Sequence, residues 1–252
     1  MIEVDSLKVM RGDKVIIPDL SLSWNRGEKL VLVGPNGAGK TTLALVLSGI
    51  LKPDSGSILI DSKPVSDYDL ISLRKKIGIV FQNPETQFVT TDVKREIAFG
   101  LSNIKQDREI ILKRVNSIIE KFDLERISGH YISELSGGEK QLVAIASIYA
   151  MSPDYLIFDE VTSFLDRKSR EKIYRLWEEC SSSLLIITQN FEEIEWGDRV
   201  ILLEDGKVSF ESGIHSLLER NIIPTQKGLF KSLLEKSKDA IPNFNEILEI
   251  LG

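Results

Sequence analysis

Apolar positions along this chain fall into two patterns. Short, nearly continuous runs rich in β-branched residues predict buried strands: Lys29-Leu30-Val31-Leu32-Val33, Ser57-Ile58-Leu59-Ile60, Ile77-Gly78-Ile79-Val80-Phe81, Tyr155-Leu156-Ile157-Phe158 and Leu184-Leu185-Ile186-Ile187. Longer stretches with apolar residues at helical spacing predict helices over 42–51, 92–123, 133–151 and about 168–180. Within the second, Ile111, Val115, Ile118 and Phe122 form one packing stripe. In residues 2–24 the clusters Ile2/Val4/Leu7, Val15-Ile16-Ile17 and Leu20/Leu22/Trp24 are separated by Arg11-Gly12-Asp13 and Pro18-Asp19. That pattern predicts short antiparallel strands, with turn signals at the breaks. Pro53-Asp54-Ser55-Gly56 reads as the stop of the first helix. Val200-Ile201-Leu202-Leu203 and Val208-Ser209-Phe210 flank Asp205-Gly206, a strong hairpin signal. Residues 221–252 carry Pro224, Gly228, Pro242 and short amphipathic runs, which predicts an appendage of two short helices.

The turn after the strand at 29–33 carries the chemistry. Gly34-Pro35-Asn36-Gly37-Ala38-Gly39-Lys40-Thr41-Thr42 fits the phosphate-binding P-loop pattern, placed between a strand and a helix. Glycines let successive N–H groups of Asn36, Gly37, Ala38 and Gly39 approach an anion without Cβ clashes. The helix N-terminus adds unpaired donors and partial positive charge. Lys40 can reach the β- and γ-phosphates, and the Thr41 hydroxyl can ligate Mg²⁺. The strand Tyr155–Phe158 ends in Asp159-Glu160. Asp159 would hold Mg²⁺, and Glu160 would polarise the attacking water as general base. Ser136 and Glu139 form a capping box, S-x-x-E, at a helix start. Gly137 and Gly138 weaken that helix and are explained if a phosphate approaches their N–H groups.

Composition narrows the class. A content of 42% hydrophobic and 28% charged residues over 252 residues is that of a globular protein with a substantial core. No apolar stretch approaches the ~20 residues needed to span a bilayer, and Met1-Ile2-Glu3-Val4-Asp5 lacks a signal-peptide pattern. A net charge of −6 gives no reason to expect a nucleic-acid partner, and Arg74-Lys75-Lys76 reads as a solvated helix end. One cysteine, Cys180, excludes an internal disulfide framework. The two histidines, His130 and His215, are too few and too far apart for a histidine-rich metal site.

With these motifs in order, the chain resembles an ATP-binding cassette (ABC) ATPase over about residues 1–218. Gly34–Thr41 matches Walker A, Tyr155–Asp159 with Glu160 matches Walker B, and Leu135-Ser136-Gly137-Gly138-Glu139 matches the signature motif. Gln82 matches the Q-loop glutamine, and Ser163-Phe164-Leu165-Asp166 resembles the D-loop. The resemblance implies an α/β fold: a P-loop NTPase core with mixed sheet, an N-terminal antiparallel β subdomain, a helical signature-motif subdomain at about 83–150 and the short helical C-terminal appendage. The cassette would span 1–220, and 221–252 would be a dimerisation segment. It also implies a head-to-tail dimer with two ATPs between the cassettes. Lys40, Thr41, Thr42, Gln82, Asp159 and Glu160 would act on this chain's own ATP, with Gln82 joining Thr41 and Asp159 at Mg²⁺. Ser136 and Gly138 would contact the ATP held by the partner.

Phe81-Gln82-Asn83-Pro84-Glu85-Thr86-Gln87, with Thr91-Asp92-Val93 and Ala98-Phe99-Gly100, resembles the energy-coupling-factor importers of cobalt, nickel and vitamins. Such ATPases pair with a second, similar ATPase, a transmembrane coupling subunit and a membrane protein that captures the substrate, at the cytoplasmic face of the membrane. The competing class is a soluble ABC ATPase of iron–sulfur cluster assembly. Three positions depart from the family pattern. Gln189 follows Leu185-Ile186-Ile187-Thr188 where a histidine is usual, and glutamine donates hydrogen bonds without carrying charge. This predicts hydrolysis at the site that is slow or less steep with pH, and a heterodimer with unequal sites; the alternative is that the histidine's role is mostly steric and glutamine suffices. Arg11 stands where an aromatic residue stacks on adenine; it would stack through its guanidinium, or sit as a solvated turn residue. Val161 replaces a frequent proline, with little expected effect.

Overall fold

The computed structural model describes residues 1–104 and 107–214. The appendage expected at 221–252 lies outside them. Two sheets organise the described chain. In the first, β1 (Ile2–Arg11) and β2 (Lys14–Trp24) pair antiparallel, and β4 (Ser55–Ile60) and β5 (Lys63–Pro64) extend it in the order β2-β1-β4-β5. The second has the order β10-β9-β3-β8-β7-β6, from β3 (Lys29–Val33), β6 (Ile77–Val80), β7 (Tyr155–Asp159), β8 (Ser183–Ile187), β9 (Arg199–Glu204) and β10 (Lys207–Gly213). Five of its strands run parallel and β10 closes the edge antiparallel, so the sheet is mixed.

The continuous apolar runs are explained by burial on both faces of this sheet. Val31, Val33, Leu156, Phe158, Leu184, Ile186, Val200 and Leu202 face one core. Their alternates Leu30, Leu32, Tyr155, Ile157, Leu185, Ile187, Ile201 and Leu203 face the other. The first core is covered by α3 (Val93–Asn103), α4 (Arg108–Lys121), α5 (Gly137–Tyr149) and α6 (Arg167–Glu179). The second is covered by α1 (Lys40–Leu47) and by the antiparallel sheet through Ile2, Leu7, Ile17 and Trp24. A further helix, α2 (Leu70–Lys76), ends in the basic triplet Arg74-Lys75-Lys76, where cations meet the negative end of the helix.

Four expectations are corrected. Pro18-Asp19 is no turn but lies within the long strand β2. Leu7 pairs Leu20 and Val9 pairs Ile17, so β2 carries an extra residue there. A bulge tolerates proline because no ladder N–H is required of it. Helix α1 stops at Leu47, not at Pro53: Gly49 turns left-handed at φ 68°, and the N–H groups of Ile50 and Leu51 return to Leu45 O. Ser55-Gly56 then begins β4. The helix expected over 92–123 is two helices, with Asp107 in the extended backbone of an N-cap, a place aspartate prefers to a helix interior. The helix expected from 133 begins at Gly137; Ile132–Glu134 is a separate 3₁₀ turn.

Candidate functional site

The P-loop leaves the carboxyl end of β3 and enters α1, with β8 and β9 on either side of β3. Ligands of open parallel sheets bind at such strand ends. Gly37 and Gly39 take φ values of 82° and 99°, which a side chain would resist. A Cβ on Gly34 would run into the Leu203 carbonyl oxygen of β9. The β9–β10 turn holds the loop from outside, where the Gly206 N–H donates to Ala38 O at 3.0 Å.

Lys40 is buried, and its Nζ donates to Gly34 O at 2.8 Å and Pro35 O at 3.0 Å. Glu160 Oε1 lies 3.7 Å from the same ammonium. Burial pushes the Lys40 ammonium down from its ordinary value, and the Glu160 and Asp159 carboxylates partly offset this. Glu160 stands one residue past β7 at φ 51°, with its N–H donated to Ile187 O at 2.9 Å. A glutamate in the left-handed region is strained, a feature that clusters at functional sites. Its carboxylate gathers the remaining polar groups. Gln82 Nε2 donates to Oε2 at 3.1 Å and Gln189 Nε2 to Oε1 at 2.8 Å. The same Gln189 nitrogen donates to Asn36 Oδ1 at 2.8 Å.

Asp159, at the end of β7, is 4% exposed, and its Oδ1 has no hydrogen-bond partner among the described residues. Burial pushes its carboxyl up, against the opposing pull of the Thr41 hydroxyl beside it. A buried carboxylate oxygen left without a donor, next to a hydroxyl oxygen, is a donor set that suits Mg²⁺.

These residues line a cleft of about 770 Å³, a volume of ligand-pocket size. Its walls include Asn36, Gly37, Gly39, Lys40, Thr41, Thr42, Gln82, Glu160 and Gln189. Ala38 is buried behind the loop. Arg11 is not brought to the cleft: it sits exposed at the end of β1, opposite Lys14, and Lys14 and Ile16 line the wall instead. Ser163 and Phe164 also line it, and Phe164 is 83% exposed. The sequence pattern carried no local sign of Lys14 or Ile16, because a long-range contact puts them there: a Cβ on Gly206 would run into the Ile16 carbonyl. Ser136 and Gly138 stand apart, at the start of α5. Ser136 caps that helix, and the expected capping box is present, with Ser136 Oγ donating to Glu139 Oε2 at 2.7 Å.

Backbone donors on left-handed glycines, a buried lysine and an unpartnered aspartate oxygen converge on one cleft, and a metal-bound polyphosphate is the ligand that answers all three. The fold and the cleft together define a P-loop nucleoside triphosphatase. Residues 17–163 match the ABC transporter family, to which the chain belongs as an ATP-binding and ATP-hydrolysing cassette. The energy-coupling factor transporter ATP-binding protein EcfA1 of Ligilactobacillus salivarius is 38% identical over 96% of this chain and 91% of its own length. The corresponding EcfA of Onion yellows phytoplasma is 36% identical over 100% and 96%. Among solved structures, cbiO1 from Clostridium perfringens, part of the ABC transporter complex cbiONQ, superposes with a TM-score of 0.77 at 30% identity, over 98% of both chains. A dimeric post-hydrolysis cassette, MJ0796 bound to ADP and Pi, superposes with a TM-score of 0.76 at 28% identity, over 85% of this chain and 99% of its own. The chain therefore resembles the energy-coupling-factor ATPases in particular.

Proposed function

We propose that this ATPase energises import of a micronutrient, a vitamin or a transition metal ion, through a transporter of energy-coupling-factor type. The observation that carries the reading is the match along essentially the whole chain to ATP-binding proteins of that transporter class. The iron–sulfur assembly alternative gains no support from these relatives. In this reading the chain works at the cytoplasmic face of the membrane, as a head-to-tail dimer with a second, similar ATPase. It docks on a transmembrane coupling subunit, and a separate membrane subunit captures the substrate. Among the described residues no helix is long and apolar enough to cross a membrane, which agrees with a peripheral role. The division into a cassette at 1–220, a helical subdomain at about 83–150 and a dimerisation segment at 221–252 belongs to the same proposal.

Within the site, the P-loop N–H groups and Lys40 bind the triphosphate and neutralise charge as it develops on the γ-phosphoryl oxygens. Thr41, Asp159 and Gln82 would hold Mg²⁺, which would supply positive charge to the triphosphate. Glu160 takes the proton of the attacking water, while Gln82 and Gln189 orient its carboxylate. Ser136 and Gly138 serve the ATP on the partner cassette, as their place outside this chain's own cleft suggests.

The test is isolation of the tagged chain from its native membranes. The expected complex holds a second ATPase and an integral membrane protein, and its ATPase activity depends on both. A soluble complex containing iron–sulfur assembly proteins overturns the reading.

A further inference from the structure

Gln189 lies on a short backbone segment anchored at both sides. On one side the Thr188 N–H donates to Leu32 O of β3 at 3.1 Å. On the other, the 3₁₀ helix Phe191–Trp196 begins at once, with Asn190 as its cap. The Glu193 N–H donates to Asn190 O at 3.0 Å, and the Asn190 N–H donates back to Thr188 Oγ1 at 2.9 Å. Glu193 is 1% exposed, an unusual place for a carboxylate. Its Oε1 accepts the Tyr174 hydroxyl of α6 at 2.9 Å.

Tyr174 grips the same 3₁₀ helix a second time. Its ring stacks on Trp196 at 5.3 Å and an interplanar angle of 25°. It also meets Trp177 at 5.4 Å, and Trp177 meets Phe158 at 5.7 Å. Phe158 immediately precedes Asp159 and Glu160. One aromatic cluster therefore references the Gln189 segment to the strand that carries the catalytic acids.

We propose that Tyr174 and Glu193 are positioning residues for ATP hydrolysis: their half-buried hydrogen bond fixes the segment that aims Gln189 at Glu160. A buried carboxylate deprived of its donor is strongly disfavoured. Without the hydroxyl, Glu193 turns toward water and the 3₁₀ helix shifts with it. A displacement well under an ångström breaks the 2.8 Å contact from Gln189 to Glu160. The segment meets the P-loop through the Gln189 amide on Asn36 Oδ1, and it carries neither Lys40 nor the loop N–H groups, so nucleotide affinity changes little. The inference rests on the role given to Gln189 under the proposed function.

The experiment measures steady-state ATP hydrolysis of the full chain in the complex it purifies with, for Tyr174→Phe, Glu193→Gln, Glu193→Leu, Gln189→Ala and the Tyr174→Phe/Gln189→Ala pair. Tyr174→Phe keeps the ring and removes only the hydroxyl. It is expected to lower kcat about tenfold with KM for ATP within about twofold. Hydrogen exchange at residues 189–196 should accelerate. Glu193→Gln, whose carbonyl still accepts from Tyr174, should stay within about twofold of wild type in kcat, while Glu193→Leu matches Tyr174→Phe. The double variant should be no slower than Gln189→Ala alone. If Gln189→Ala is slow while Tyr174→Phe runs at the wild-type rate, or if the two losses multiply, the positioning inference is overturned. If Gln189→Ala itself runs at the wild-type rate, the role of Gln189 falls and this inference falls with it.

Discussion

Gln189 Nε2 donates at 2.8 Å both to Glu160 Oε1 and to Asn36 Oδ1, so one uncharged amide ties the carboxylate that ends β7 to the P-loop. A histidine in that place offers a cation; glutamine offers only dipoles. The Gln189→His variant is therefore expected to hydrolyse ATP about threefold to tenfold faster in the assembled dimer. Its rate should also acquire a pH dependence near about 6.5 that the wild type lacks. Steady-state rates between pH 5.5 and 8.5 check both.

Asp159 holds a buried carboxylate oxygen with no donor among the described residues, which burdens the nucleotide-free protein. Asp159→Asn removes the buried charge. It should raise the melting temperature without nucleotide by about 2–4 °C, and lower MgATP hydrolysis by at least about 100-fold. Scanning calorimetry in EDTA and a Mg²⁺ titration of the rate are the measurements.

Glu160→Gln keeps the shape of the side chain and loses the carboxylate that the proposed function makes the base. Hydrolysis is expected to fall by about 100-fold to 10,000-fold, with ATP affinity retained. If the cassettes close head to tail over ATP, this variant accumulates an ATP-dependent dimer visible by size-exclusion chromatography. A variant that remains monomeric with ATP and with its partner ATPase present argues against the shared site.

The wall of the cleft predicts a contrast. Ile16 lines it and Arg11 does not. Ile16→Ala should weaken ATP binding about fivefold through lost apolar contact, while Arg11→Ala leaves the affinity unchanged. Fluorescence titration with a labelled ATP analogue distinguishes the two.

Far from the cleft, Asp61 accepts hydrogen bonds from Arg26 at 2.9 Å, Lys76 at 3.2 Å and the Tyr155 hydroxyl at 3.1 Å. The Arg26 guanidinium holds its carboxyl well below the usual carboxylate range. A depressed folded value contributes stability above the unfolded pKa of about 3.9, and that stability drains away as the pH falls below it. Arg26 is largely exposed, so solvent screening leaves a contribution of about 1 kcal/mol. Asp61→Asn should cost that much at pH 7 and progressively less toward pH 2, as read from urea unfolding at both ends.

The parts of this molecule that obey local rules were legible from residues alone. The P-loop at 34–42, the acids closing β7, the capping box of Ser136 and Glu139 and the Asp205-Gly206 hairpin each carry their physics within a few positions. What escaped depends on distant partners. Pro18-Asp19 resembles a turn until β1 is laid beside it and turns it into a bulge. Lys14 and Ile16 reach the cleft because a hairpin some 190 residues later presses on β2. Arg11 fails to reach it because its register opposite Lys14 puts it past the end of the wall. The end of α1 at Gly49 was the local signal overlooked, since a left-handed glycine closes a helix as firmly as a proline beyond it.

The place of β3 in its sheet bears on how the protein is made. The strand that launches the P-loop is synthesised at residues 29–33, yet its hydrogen-bonded neighbours are β8 and β9, at 183–187 and 199–204. A ribosome adding about 5–20 residues per second leaves this strand unpaired for roughly ten seconds or more. During that interval the glycine-rich loop lacks the two strands that flank its own, along with Glu160 and Gln189 of the cleft for most of it. Completion of the cleft waits on β8 and β9, so strand order ties the finished site to a nearly finished cassette.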